Sequence, residues 1–312
     1  MVKCPTPGCL EDNPPDARYC GECGVPLFAK PVAVPAAIDP LAHVEIEAAP
    51  SLAAVSDVGC NPHHTHNEDF IGAHQDVLAT GSVQILVVAD GVSLSQSPEA
   101  ASRVAVETAG AGLVSAARQL ADAPEIMVEA ILEAHAEICR LPYDRTSPID
   151  APGATIVAAL VARDRVLVGW SGDSRAYWIG PTAVTQLTKD HSFATHEVET
   201  GHMTYEAVMK DPNAHAILQC LGMVNCNAPP EPSVVVHPVP AEGGRLLLCS
   251  DGLWNYLTGP DHLLDLLAAL DPAQTALEQA RHLVDFARRA GGADNISAAL
   301  LVVPARQGDT LI

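Results

Sequence analysis

The stretch ATIVAALVARDRVLVGWSGDSRAYWI, residues 154 to 179, decides the fold class. Its three apolar runs are separated by Arg163-Asp164-Arg165 and by Ser171-Gly172-Asp173-Ser174. Turns this tight join antiparallel strands, because a parallel return needs a crossover of about a dozen residues or more. The stretch therefore predicts a three-stranded antiparallel meander. Working outward, further strands are predicted in SLAAVSDVG (51–59), VQILVVAD (83–90), RLLLCSDG (245–252) and NISAALLVV (295–303). Their apolar residues run on almost without alternation, as in strands buried on both faces.

Helical stretches lie between these runs. Residues 97–120 open with SPEAA, which offers Ser as N-cap and Pro at the first helical position. Residues 124–140, 261–270 and 272–290 also read as helices, the last stopped by Gly291-Gly292. Antiparallel sheets covered by paired helices make an α+β layered domain. It is predicted to span 51–304. Residues 28–50, rich in Pro and Ala, read as a semi-rigid linker, and 305–312 as a flexible tail.

The formal net charge of −21 repels phosphate backbones and disfavours nucleic acid as a partner. No apolar run approaches the ~20 residues that span a membrane. With no apolar signal core in MVKCPTPGC, a cytoplasmic protein is expected. Cys4, Cys9, Cys20 and Cys23 follow a C-x4-C-x10-C-x2-C pattern within residues 1–27. Four thiolates so spaced suit one tetrahedral structural Zn²⁺, which would supply the folding energy that so short a segment lacks. The segment resembles the zinc ribbons that often dock partners.

Acidic residues sit where strands end. They are Glu68-Asp69 in HTHNEDF, Asp90 in VVADGV, Asp173 in WSGDSRAYW, Asp251 in LCSDGLW and Asp294 in GGADNIS. A single Asp-Gly would be a solvated turn. Several carboxylates buried side by side would raise each other's pKa and weaken the fold unless hard cations neutralised them. Oxygen-only donors suit Mg²⁺ or Mn²⁺. A pair of such ions favours hydrolysis of phosphate esters.

NED, VVADG, GATIVAAL, GWSGDSRAYW, LTKDHS, LLLCSDGLW and GGADNIS occur in this order over roughly residues 52–303. Together they resemble the ordered motifs of the PPM family, the type 2C metal-dependent protein serine/threonine phosphatases. The resemblance implies a four-layer αββα sandwich of two antiparallel sheets flanked by helix pairs. It implies that Asp90 bridges two Mn²⁺ or Mg²⁺ ions, with the Gly91 carbonyl on one, and that Asp251 and Asp294 hold the other. Glu68 and Asp69 would order the ions' waters, Asp69 either through water or directly, and Asp173 would serve a third ion. Asn295 would steady this corner. Residues 192–233 would replace the flap beside the cleft. The implied substrate is phosphoserine or phosphothreonine on a protein, with a Ser/Thr protein kinase or its target as partner, and the chain is expected to be a monomer.

Two positions depart from the pattern. The family's phosphate-holding Arg is replaced by His64 within HHTHNED, with His63 and His66 as alternatives. Imidazole can donate to phosphate, although its charge depends on pH. Ser93 stands near the place of a His that protonates the leaving group, and Ser is a poor general acid. These losses are the ground for an alternative, a weak or inactive phosphatase-fold binding module. His191 in LTKDHS reads as a hydrogen-bonded structural histidine.

Overall fold

The computed structural model describes residues 2–3, 12–13, 42–62, 64–78, 81–118, 123–223 and 229–306. In chain order its elements begin β1 (Val2–Lys3), β2 (Asp12–Asn13), β3 (His43–Ala49), β4 (Leu52–Asp57), β5 (Asp69–Leu78), β6 (Gly81–Asp90), α1 (Pro98–Arg118) and α2 (Pro124–Ile138). There follow β7 (Gly153–Ala154), β8 (Ile156–Ala162), β9 (Arg165–Ser171), β10 (Arg175–Ile179), β11 (Val184–Gln186), α3 (Phe193–Glu199) and α4 (Tyr205–Val208). The chain closes with β12 (Leu221–Gly222), β13 (Ser233–Pro238), β14 (Gly244–Cys249), α5 (Asp251–Trp254), α6 (His262–Ala268), α7 (Ala276–Ala290) and β15 (Ile296–Val303).

Two units are distinguished, Met1–Ile38 with Ser192–Ala216, and Asp39–His191 with Ile217–Ile312. In the first, β1 pairs antiparallel with β2. There α3 and α4 are each capped by a hydroxyl, Ser192 accepting from the Thr195 N–H and Thr204 from the Ala207 N–H. Cys4, Cys9, Cys20 and Cys23, and with them the expected zinc ribbon, lie outside the described residues, as does His63.

Among the described residues, the second unit has two antiparallel sheets, ordered β11-β10-β14-β15-β4-β3 and β13-β9-β8-β6-β5. Strand periodicity sorts their side chains into three apolar layers. Val83, Ile85, Val87 and Ala89 of β6 pack with α1 and α2. Leu86 and Val88 point the other way, toward Trp178, Leu246 and Leu301 between the sheets. Leu247, Cys249, Ala298 and Leu300 meet α6 and α7 on the far side. The result is the expected αββα order, and it explains why the strand sequences lack alternation.

The structure corrects the meander. β8 and β9 form the predicted hairpin, but β10 leaves that sheet and pairs with β14 and β11 in the other one. The Ser171–Ser174 turn is thus a crossing between sheets. Gly172, at φ +114°, makes the crossing without a side-chain clash. The linker is corrected too. His43–Ala49, within the predicted 28–50, is an edge strand on β4, so the layered domain begins before residue 51. Its residues alternate between exposed and half-buried as far as Glu47, where the register shifts, as suits an edge strand with one covered face. The last helix begins at Ala276 rather than at 272, because Thr275 and Glu278 close a capping box there. Among the described residues no helix is long and apolar enough to cross a membrane.

Candidate active site

The two sheets bring five acidic positions to one end of the sandwich. Asp69 begins β5 and Asp90 ends β6, and the two are register partners. Asp173 lies in the crossing between β9 and β10, Asp251 follows β14, and Asp294 precedes β15. Each strand is fixed by its apolar layers, so the carboxylates meet wherever those strands end.

Local bonds hold each position. The Asp90 carbonyl accepts from the Thr155 N–H at 2.8 Å, and its N–H donates to Thr155 Oγ1 at 3.2 Å. Thr155 Oγ1 also meets Ser174 Oγ at 2.8 Å, which ties the end of β6 to the Asp173 turn. Asn295 Oδ1 accepts from the Glu68 N–H at 2.7 Å, while its Nδ2 donates to the Val58 and His66 carbonyls. The Ser250 hydroxyl donates to Asp69 Oδ2 at 2.7 Å. The Gly91 N–H donates to the Glu68 carbonyl at 3.0 Å. A Cβ on Gly91 would sit 2.5 Å from the Pro98 carbonyl oxygen and 2.8 Å from that of Glu68, so only glycine fits.

These groups feel one another's charge. Asp90 is pushed well above the ordinary carboxylate range, first by burial and then by the charges of Asp69, Asp251, Asp294 and Asp173. Burial first, then Asp294 and Asp69, lift Asp251 to about 8. Asp173 is raised by burial and by Asp251. Burial also lifts Asp294 to about 7 and Asp69 to about 6, where the neighbouring Ser297, Ser250 and Asp90 side chains oppose it. Such a cluster would otherwise hold protons at neutral pH.

A hard cation would fit here. Asp69 Oδ1 and Asp251 Oδ1 are buried with no hydrogen-bond partner. The donors are all oxygen, and Gly91 lets its backbone come close. Among the described residues no three His, Cys, Asp or Glu side chains form a ready ligand set for one ion.

The departures have definite places. His64 Nδ1 lies 3.3 Å from Asp294 Oδ1, at the edge of the cluster. Ser93 donates to Glu68 Oε2 at 2.5 Å. His191 is a structural residue. Its Nδ1 accepts from the Gly172 N–H and from Gln219, its Nε2 meets Ser233 Oγ at 3.0 Å, and its ring stacks on Trp170. Burial lowers its pKa.

The model of the family described as Protein phosphatase 2C matches residues 62–288. The chain belongs to the protein phosphatase 2C family. Among relatives, the serine/threonine phosphatase Stp of Listeria monocytogenes serotype 4b is 31% identical over 239 residues, 76% of this chain and 90% of that protein. The S. agalactiae serine/threonine phosphatase structure superposes with a TM-score of 0.65 at 28% identity, covering 81% of this chain and 98% of that one. The catalytic domain of the phosphatase PstP, solved with two manganese ions, gives a TM-score of 0.61 at 27% identity over 81% and 97% of the two chains. The two-sheet architecture is thus the family's.

Sequence reading missed the supports beneath this phosphatase 2C site, Thr155, Ser174 and Ser250. They sit inside quoted motifs, but a hydroxyl that bonds across sheets has no local pattern.

Proposed function

We propose that this chain hydrolyses phosphoserine and phosphothreonine esters on proteins at the carboxylate cluster. One observation carries the reading: Asp90 lies within the fields of Asp69, Asp173, Asp251 and Asp294 at one end of the sandwich. Two Mn²⁺ or Mg²⁺ ions would be held by Asp90, the Gly91 carbonyl, Asp251 and Asp294, with Asp173 serving a third. When bound, the ions acidify water and offset charge on the phosphoryl oxygens.

The chain's own groups do the positioning. Glu68 and Asp69 accept hydrogen bonds from the attacking water and aim it. Ser93 holds Glu68 through the hydroxyl bond. His64 donates to a phosphate oxygen from the rim. Thr155 and Asn295 hold the backbone so that the carboxylates cannot relax apart.

The kinship supports a phosphoprotein substrate; a Ser/Thr protein kinase or its target as partner, and action as a monomer, are our own reading. We place the protein in the cytoplasm, where free thiols such as Cys60, Cys220 and Cys249 persist. The cysteine spacing supports a structural Zn²⁺ on Cys4, Cys9, Cys20 and Cys23 in a ribbon over 1–27, joined by a linker to the catalytic domain. The retained carboxylates argue against an inactive scaffold.

The test is turnover of p-nitrophenyl phosphate and a phosphothreonine peptide with Mn²⁺. Activity in the wild type that is lost in Asp90→Asn and Asp251→Asn is expected. Turnover that survives both substitutions, or that ignores chelator, would reject the reading.

A further inference from the structure

Trp254 ends the short helix α5 that Asp251 begins. Its indole N–H donates to the backbone carbonyl of Asp173 at 2.9 Å. One side chain thus joins the turn that carries Asp173 to the helix that carries Asp251. The indole is itself held. The Arg175 guanidinium lies 3.5 Å from the centre of its ring, a favourable cation–π distance.

Arg175 has little freedom to slide. Its Nε donates to Asp190 Oδ1 at 2.9 Å, its Nη2 to Asp190 Oδ2 at 2.6 Å, and its Nη1 to the Tyr177 hydroxyl at 3.3 Å. The fork is planar and stiff, and Asp190 is mostly buried. The Asp173 turn is therefore pinned on two sides, by Ser174 on Thr155 and by Trp254 on its carbonyl. These ties fix the turn that carries Asp173 against the helix that Asp251 begins.

We propose that Trp254, clamped by Arg175, is a positioning residue that sets the spacing of the Asp173 and Asp251 carboxylates and so the affinity of the cation held at Asp173. The proposal rests on the metal-dependent reading of the cluster. It adds a side chain that touches neither ion nor substrate.

The test titrates Mn²⁺ into the chelator-stripped full chain and follows free Mn²⁺ by electron paramagnetic resonance and indole emission by fluorescence. Trp254→Phe keeps a ring for Arg175 but removes the N–H. Its weakest Mn²⁺ site is expected to loosen about tenfold, the usual size of a supporting-bond loss, with the tighter sites unchanged. Asp173→Asn should abolish that same site. Arg175→Lys, which keeps charge but not the planar stack, should loosen it by less. The emission response to Mn²⁺ should vanish in Trp254→Phe although Trp170 and Trp178 remain.

A wild-type isotherm in Trp254→Phe overturns the proposal. So does equal weakening of all sites with a lowered metal-free melting temperature, which would mark a merely structural residue. If the wild type itself binds no Mn²⁺, the metal-dependent reading fails first, and the two failures are distinguishable.

Discussion

Asp69 and Asp90 stand directly opposite each other in the β5–β6 ladder. Once both are ionised, like charges so placed work against a sheet by about 0.2–1 kcal/mol. No folding requirement explains the pair, whereas the cation site proposed above would.

Replacing Asp90 by Asn should therefore separate stability from function. In chelator at alkaline pH, where the cluster has lost its protons, the variant should melt ~2–4 °C above the wild type, as about 1 kcal/mol of repulsion is removed. Its Mn²⁺-dependent turnover should fall by at least about a thousandfold, because positioned charges of this kind are worth several kcal/mol in a transition state. Scanning fluorimetry and p-nitrophenyl phosphate kinetics check both. A variant less stable than wild type in chelator would mean that Asp90 is a structural residue.

Acidity should stabilise the metal-free protein. In the folded chain Asp69, Asp294 and Asp251 titrate at about 6, 7 and 8, against an ordinary 3.8. Between about pH 4 and pH 8 the folded chain thus holds protons that the unfolded chain has released, so stability falls as pH rises. Asp294, 44% exposed, contributes least because water screens it. Melting curves in chelator should shift down from pH 5 to pH 8, and saturating Mn²⁺ should flatten that slope. A melting temperature in chelator that climbs over this range would contradict the shared burial of these groups.

The layers were legible because apolar runs of seven or eight residues can only be buried strands or helices, and flanking turn residues set their ends. The acidic positions were legible because each sits at such an end. Sheet membership was not. The Ser171–Ser174 turn looks the same whether β10 folds back on β9 or crosses to β14, since the choice depends on Arg175↔Cys249 pairing some seventy residues away. His43–Ala49 was hidden by its surroundings. Pro and Ala upstream set a linker composition, and an edge strand buries too little to stand out against it. The Trp254 bond ends on a backbone carbonyl, which every residue has, so no residue type marks its target.

Asn295 carries three bonds from one buried amide, to the Glu68 N–H and to the Val58 and His66 carbonyls. Asn295→Ala should lose roughly 3 kcal/mol at about 1 kcal/mol per bond. Urea denaturation measures it. Asn295→Asp keeps the acceptor for Glu68 but turns an anion toward two carbonyls, so it should be no better than Ala. A loss under about 0.5 kcal/mol in Asn295→Ala, the level of an ordinary surface change, would refute this anchoring role.

Gly91 tests the backbone route to the site. Its Cβ would collide with two backbone oxygens, which cannot rotate away as a side chain could. Gly91→Ala should cost about 1–3 kcal/mol through forced backbone shifts and should displace the carbonyl offered to a cation. Mn²⁺ affinity read by calorimetry should drop together with stability. Wild-type affinity in this variant would exclude the Gly91 carbonyl as a ligand.

His64 lies 3.3 Å from Asp294 and takes the place where the resemblance expects arginine. A neutral imidazole can give phosphate one hydrogen bond, while a guanidinium gives two and stays charged at every working pH. His64→Arg should therefore lower KM for p-nitrophenyl phosphate about tenfold at pH 8, the worth of one charged hydrogen bond of ~1.5 kcal/mol. His64→Ala should raise KM and change kcat less. If Ala and Arg at this position leave KM at the wild-type value, His64 serves only to neutralise Asp294, and phosphate is held by groups outside the HHTH segment.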